Sequence, residues 1–145
     1  PVLAHPGKKS VGLTHTQWHY AFTNTFTDEE SQALYKRYHV PASGPIFWGS
    51  VLANVKPGHQ ELWVNYHNDA RAPLLFISGG ADNLMPPSVQ RSNANNYKSP
   101  NTITEVKEFE GFPHLLPAQK GWEQIADYAL EWAEQHARMP AGAAT

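Results

Sequence analysis

At 145 residues the chain has the length of one domain with a real core. A net charge of −2 and 17% charged residues exclude a basic field for nucleic acid and an acidic disordered tail. The absence of cysteine excludes disulfides, thiolate nucleophiles and cysteine metal sites.

No apolar run approaches the roughly 20 residues of a membrane span, and no signal peptide is visible, so a cytoplasmic location is the expectation. The first residue is Pro1 rather than Met, which is consistent with a boundary made by processing or by choice of the expressed segment, and no targeting is read from it. Pro1 to Leu13 is loop-like, with Pro1, Pro6, Gly7 and Gly12 among charged residues. Thr14-His15-Thr16-Gln17 fits a capping box and opens a short helix, with Trp18, Ala21 and Phe22 on one face. Thr27-Asp28-Glu29-Glu30 is a second capping box, with acids at the positive end of the helix dipole. That helix runs to about Tyr38 and stops before Pro41. A third is expected from Ser43-Gly44-Pro45, carrying Phe47 with Val51 and Trp48 with Leu52, and ending at Pro57-Gly58. Leu62-Trp63-Val64 reads as a strand extension or as a packed loop. Three short aromatic helices before any clear strand read as a lid over a neighbouring structure or as a small subdomain with its own core. The pattern leaves both open.

Pro73 to Ile77 is apolar at every position, as expected of a strand covered on both faces. Ser78-Gly79-Gly80-Ala81 turns the chain and delivers Asp82. A polar helix follows Pro86-Pro87, and Ser99-Pro100-Asn101 is a turn. Thr102 to Phe109 is a second strand, half exposed. It ends at Glu110-Gly111-Phe112-Pro113 and delivers His114. The last helix carries Trp122, Ile125, Ala126, Ala129, Leu130 and Ala133 as one apolar stripe, expected to cover a face of the sheet. Met139 to Thr145 reads as a frayed tail. The fold class is α/β. An acid and a base each follow a strand, where an open α/β sheet presents functional groups.

The run Pro73 to Asp82 with Pro86-Pro87 resembles the acid-bearing strand and turn of the α/β-hydrolase family. Glu110 to His114, followed by an amphipathic helix, resembles its catalytic-histidine loop. The acid precedes the histidine, as in the family. The stretch from about Thr14 to Val55, with Trp18-His19-Tyr20-Ala21-Phe22-Thr23-Asn24-Thr25, resembles lids of lipase-like and esterase-like members. The resemblance implies an α/β-hydrolase-like C-terminal portion: residues 1–71 as N-terminal loop and lid, 72–138 as the last two strands of a mostly parallel sheet with flanking helices, and 139–145 as tail. It implies Asp82 and His114 as catalytic residues of a Ser-His-Asp triad. His114 would be the general base and then acid, and Asp82 would fix its tautomer. Trp18, Phe22, Trp48, Leu84 and Leu115 are candidates to line a pocket for an ester-like small molecule.

One part of the pattern is missing. The sequence holds no Gly-x-Ser-x-Gly elbow. Ser78 follows Phe76-Ile77 where a tight turn wants a small residue, and Ser50 has no strand before it. The chain alone is therefore expected to be inactive and to associate with the missing N-terminal half of a larger hydrolase, or with itself, since two parallel strands leave an open edge. Members with an aspartate nucleophile, of the dehalogenase and epoxide-hydrolase type, remain an alternative, as does a non-catalytic binding or interaction domain. No cofactor and no metal is expected. His15 and His19 have i, i+4 spacing but lack a third ligand.

Overall fold

The computed structural model describes residues 10–45 and 63–137. The chain divides into two compact units, Pro1–Tyr20 with Thr27–Asn65, and Ala21–Phe26 with Tyr66–Thr145.

In the first unit the helices start where the caps predict. Helix α1 spans His15–Phe22. Before it, Thr14 and Gln17 exchange bonds: the Thr14 amide donates to Gln17 Oε1 at 2.9 Å, and the Gln17 amide to Thr14 Oγ1 at 3.3 Å. Helix α2 spans Asp28–Tyr38, with the full Thr27/Glu30 capping box. Trp18 packs edge-on against Tyr35 and His39, and Tyr35 stacks on His39 with centroids 4.6 Å apart. The Leu13 amide donates to His39 Nε2 at 3.0 Å, and the Tyr35 hydroxyl donates to the Leu13 carbonyl at 2.7 Å. Val11 pairs with Ala42 in an antiparallel bridge. Replacing Thr27 with alanine should cost about 1 kcal/mol of α2 stability. Hydrogen exchange along α2 checks it, with the loss of protection concentrated in its first turn.

Gly44 and Pro45 are helical at the edge of the described region. The rest of the third helix, with Trp48 and the Pro57-Gly58 stop, lies outside the described residues. Trp63 and Val64 are in no strand and are exposed rather than packed, and Leu62 lies outside the described residues.

The second unit is mixed α/β. Strand β1 is Leu74–Gly79, helix α3 is Pro87–Ala94, strand β2 is Thr104–Phe109, and helix α4 is Glu123–His136 after a short 3-10 turn at Leu116–Ala118. The strands are parallel, in register from Leu74 opposite Thr104 to Gly79 opposite Phe109. Successive side chains point to opposite faces. On one face Phe76 meets the Tyr97 ring just beyond α3, and Arg91 of α3 pairs with Glu108 at 2.7 Å. On the other, Trp132 of α4 donates its indole N–H to Glu105 at 2.6 Å, and Tyr128 lies edge-on to Phe109. The Lys107 ammonium sits over Tyr128, 5.0 Å from the ring centre.

The apolar stripe of α4 does not do what its spacing predicts. Trp122 is 45% and Leu130 61% exposed, and Ile125 and Ala129 are only half-buried. Tyr128 and Trp132, half-buried beside Ile125 and Ala129, make ring and hydrogen-bond contacts with β2. The reason lies in β2, which offers this face Glu105, Lys107 and Phe109, partners for amphipathic aromatics rather than for alanine and leucine. Leu74 to Ile77 are likewise half-buried. Among the described residues of this unit the buried large hydrophobic side chains are Phe109, which ends β2, and Phe112, in the loop that follows it. Among the described residues no helix is long and apolar enough to cross a membrane.

Candidate functional site: an acid and a histidine at the strand ends

Both candidate groups stand where their strands stop. After β1 the chain turns through Gly80 and Ala81. The Asp82 amide donates back to the Gly79 carbonyl at 3.1 Å. After β2, Gly111 takes a φ of +76°, a left-handed conformation that glycine adopts without strain. Phe112 and Pro113 are then buried, and His114 emerges.

The two loops are stitched together. The Gly80 amide donates to the Phe109 carbonyl at 2.8 Å and the Ala81 amide to that of Phe112 at 2.9 Å. Gly79 makes this possible. A β-carbon built there would lie 2.6 Å from the Pro113 carbonyl oxygen and closer still to that of Phe112. Any side chain at residue 79 would push the histidine loop off the acid loop.

Asp82 is nearly sealed, with its side chain 4% exposed. Its Oδ1 accepts from the amides of Leu84 and Met85, both at 2.8 Å. Its Oδ2 stands 2.8 Å from Nδ1 of His114. The carboxylate is therefore held by two backbone donors on one oxygen and turned to the imidazole with the other. With an ionised carboxylate facing it, Nδ1 carries the proton and donates. The Nε2 lone pair is then the basic one, and among the described residues Nε2 has no hydrogen-bond partner. The imidazole is 31% exposed. This arrangement can accept a proton at Nε2 and stabilise the resulting imidazolium through Asp82.

No family model matches the chain, and no curated protein matches it.

The remaining candidates separate. Phe22 lies T-shaped against the His114 ring, with centroids 5.1 Å apart. Leu115 is half-buried, and its amide donates to the Phe22 carbonyl at 3.0 Å. Leu84 is exposed beside Asp82 and touches the site through its backbone amide. Trp18 is buried against Tyr35 and His39 in the first unit. Trp48 lies outside the described residues.

Ser78 is 1% exposed within β1, and its Oγ has no partner. It sits inside a strand and not on an exposed turn, which fits the reading that it is no nucleophile. His15 and His19 have ring centroids 6.3 Å apart, and no group of three metal-ligating side chains occurs among the described residues. Two residues that pattern reasoning did not single out belong to the site's frame. Asn24 donates from Nδ2 to the Ala81 carbonyl at 2.9 Å, and Thr25 donates to Gln119 Oε1 at 2.7 Å. Bonds between residues 57 and 94 apart leave no trace in local spacing.

Proposed function

We propose that this chain supplies the acid and the histidine of a Ser-His-Asp relay for ester hydrolysis, with the nucleophile carried on polypeptide outside it. One observation carries the reading: Asp82, locked by two backbone amides, holds Nδ1 of His114 and leaves Nε2 unbonded. Two further features support the fold of the α/β hydrolases. The acid follows one strand of a parallel pair and the histidine follows the next, and helices lie on both faces.

The sheet supports the need for a partner. Among the described residues β1 pairs with β2 alone, and Leu74 to Ile77 are apolar on both faces yet half-buried. A parallel strand added to the free edge of β1 would bury them. The same strand could present the attacking hydroxyl to Nε2. His114 would take the hydroxyl proton as the oxygen attacks the ester carbonyl. It would return that proton to the departing alcohol, then take one from the water that attacks the acyl-enzyme and return it to the hydroxyl, with Asp82 orienting the ring and stabilising the imidazolium formed each time.

The test is turnover of p-nitrophenyl acetate by the chain alone and with an N-terminal partner fragment added. The mixture should be active and the chain alone should not. His114→Ala should lower turnover by about 1,000-fold or more. Ser78→Ala should leave it unchanged. Full turnover in His114→Ala overturns the assignment.

A further inference from the structure

We infer that Phe22 is a positioning residue for His114, which it holds through the short segment Ala21–Phe26; this rests on the hydrolase reading above. The Asp82 bond fixes one atom of the imidazole. Tethered at Cγ and held at Nδ1, the ring still librates in χ1 and χ2 as far as the Asp82 bond gives, and Nε2 swings with it. A second restraint across the ring plane is needed to aim Nε2, and Phe22 supplies one. Its ring meets the imidazole at 75°, with centroids 5.1 Å apart, the edge-to-face geometry in which aromatic pairs attract.

The backbone around Phe22 is fixed to both loops of the pair. The Phe22 carbonyl accepts from the amide of Leu115, the residue after His114. The Asn24 side chain donates to the carbonyl of Ala81, the residue before Asp82. The Thr25 hydroxyl donates to Gln119, beyond the 3-10 turn. Past the end of α1 the segment closes into a turn, with the Phe26 amide on the Thr23 carbonyl at 2.9 Å and Thr23 fully buried. Six residues that interrupt the first unit thus belong to the second and touch the immediate neighbours of both functional groups. A segment serving only as a connection between helices would not need bonds to each of them.

The experiment is NMR on the histidine ring of the chain as it stands, with activity of the reconstituted mixture read separately. In the wild-type chain, long-range proton–nitrogen correlations should show His114 as the Nδ1–H tautomer, with slow solvent exchange of that proton. Phe22→Ala should keep the tautomer and raise the exchange rate about 10-fold, the loss of one edge-to-face contact. Phe22→Tyr should restore slow exchange. Asp82→Asn should change the tautomer whether or not Phe22 is present. In the active mixture, Phe22→Ala should lower kcat with KM little changed.

Unchanged exchange in Phe22→Ala overturns the inference. So does collapse of the β1–β2 amide dispersion in both Phe22→Ala and the milder Phe22→Leu, which would make Phe22 a core residue. If the ring loosens as expected but the mixture never turns over ester, the hydrolase reading fails and the restraint on His114 stands.

Discussion

Replacing Gly79 with alanine should separate the acid loop from the histidine loop and cost the second unit about 3 kcal/mol or more. The added methyl would overlap the carbonyl oxygens of Phe112 and Pro113. Both are backbone atoms, and Pro113 is fully buried, so neither can swing aside as a flexible side chain would. Relief requires the two loops to part. That breaks the bonds from Gly80 to Phe109 and from Ala81 to Phe112, and draws Asp82 away from His114. Gly111→Ala is the informative control. Its φ is +76° and nothing lies within 4 Å of the added carbon, so it should cost only about 1–2 kcal/mol of backbone strain. Urea unfolding measures both costs, and the His114 tautomer reports the geometry. If Gly79→Ala is as mild as Gly111→Ala, the close approach of the two loops is not what holds the pair together.

The second large effect is expected at Asp82, where two substitutions should part company. Asp82→Ala leaves the amides of Leu84 and Met85 and the imidazole N–H without an acceptor in a sealed place. Each unmet buried donor costs about 1–3 kcal/mol, so with three of them a loss of about 3 kcal/mol or more is expected. Asp82→Asn keeps an oxygen for the two backbone amides, so stability should change by about 1 kcal/mol or less. Its amide group, however, turns a donor toward Nδ1. The imidazole must then accept at Nδ1 and carry its proton on Nε2, the wrong tautomer for a base. If the proposed relay operates, ester turnover of the reconstituted mixture should fall by about 10,000-fold with little loss of fold. Circular dichroism melts set beside p-nitrophenyl acetate turnover separate the two effects. Equal damage to fold and turnover in Asp82→Asn would make Asp82 a structural turn aspartate.

Much of this molecule was legible from local sequence because local chemistry decides it. Thr14 with Gln17 and Thr27 with Glu30 carry both halves of a capping box within one helical turn, and the helices begin there. The apolar run from Leu74, short and stopped by two glycines, reads as a strand and its exit. The order of Asp82 before His114, each just past a strand, is likewise written in the chain.

What the chain order could not say is which partners each element finds. The stripe from Trp122 to Ala133 marks a helix but not the surface it faces. That choice fell to Tyr128 and Trp132, because Glu105 and Lys107 of β2 make better partners for their rings. Trp18 and Phe22 sit on one helix face in sequence. Yet the first packs with Tyr35 and His39, and the second against His114. Spacing along a chain fixes the direction of a side chain relative to its own element. Contacts across dozens of residues depend on how loops such as those at Gly79 and Pro113 close on each other, and only the folded chain determines that.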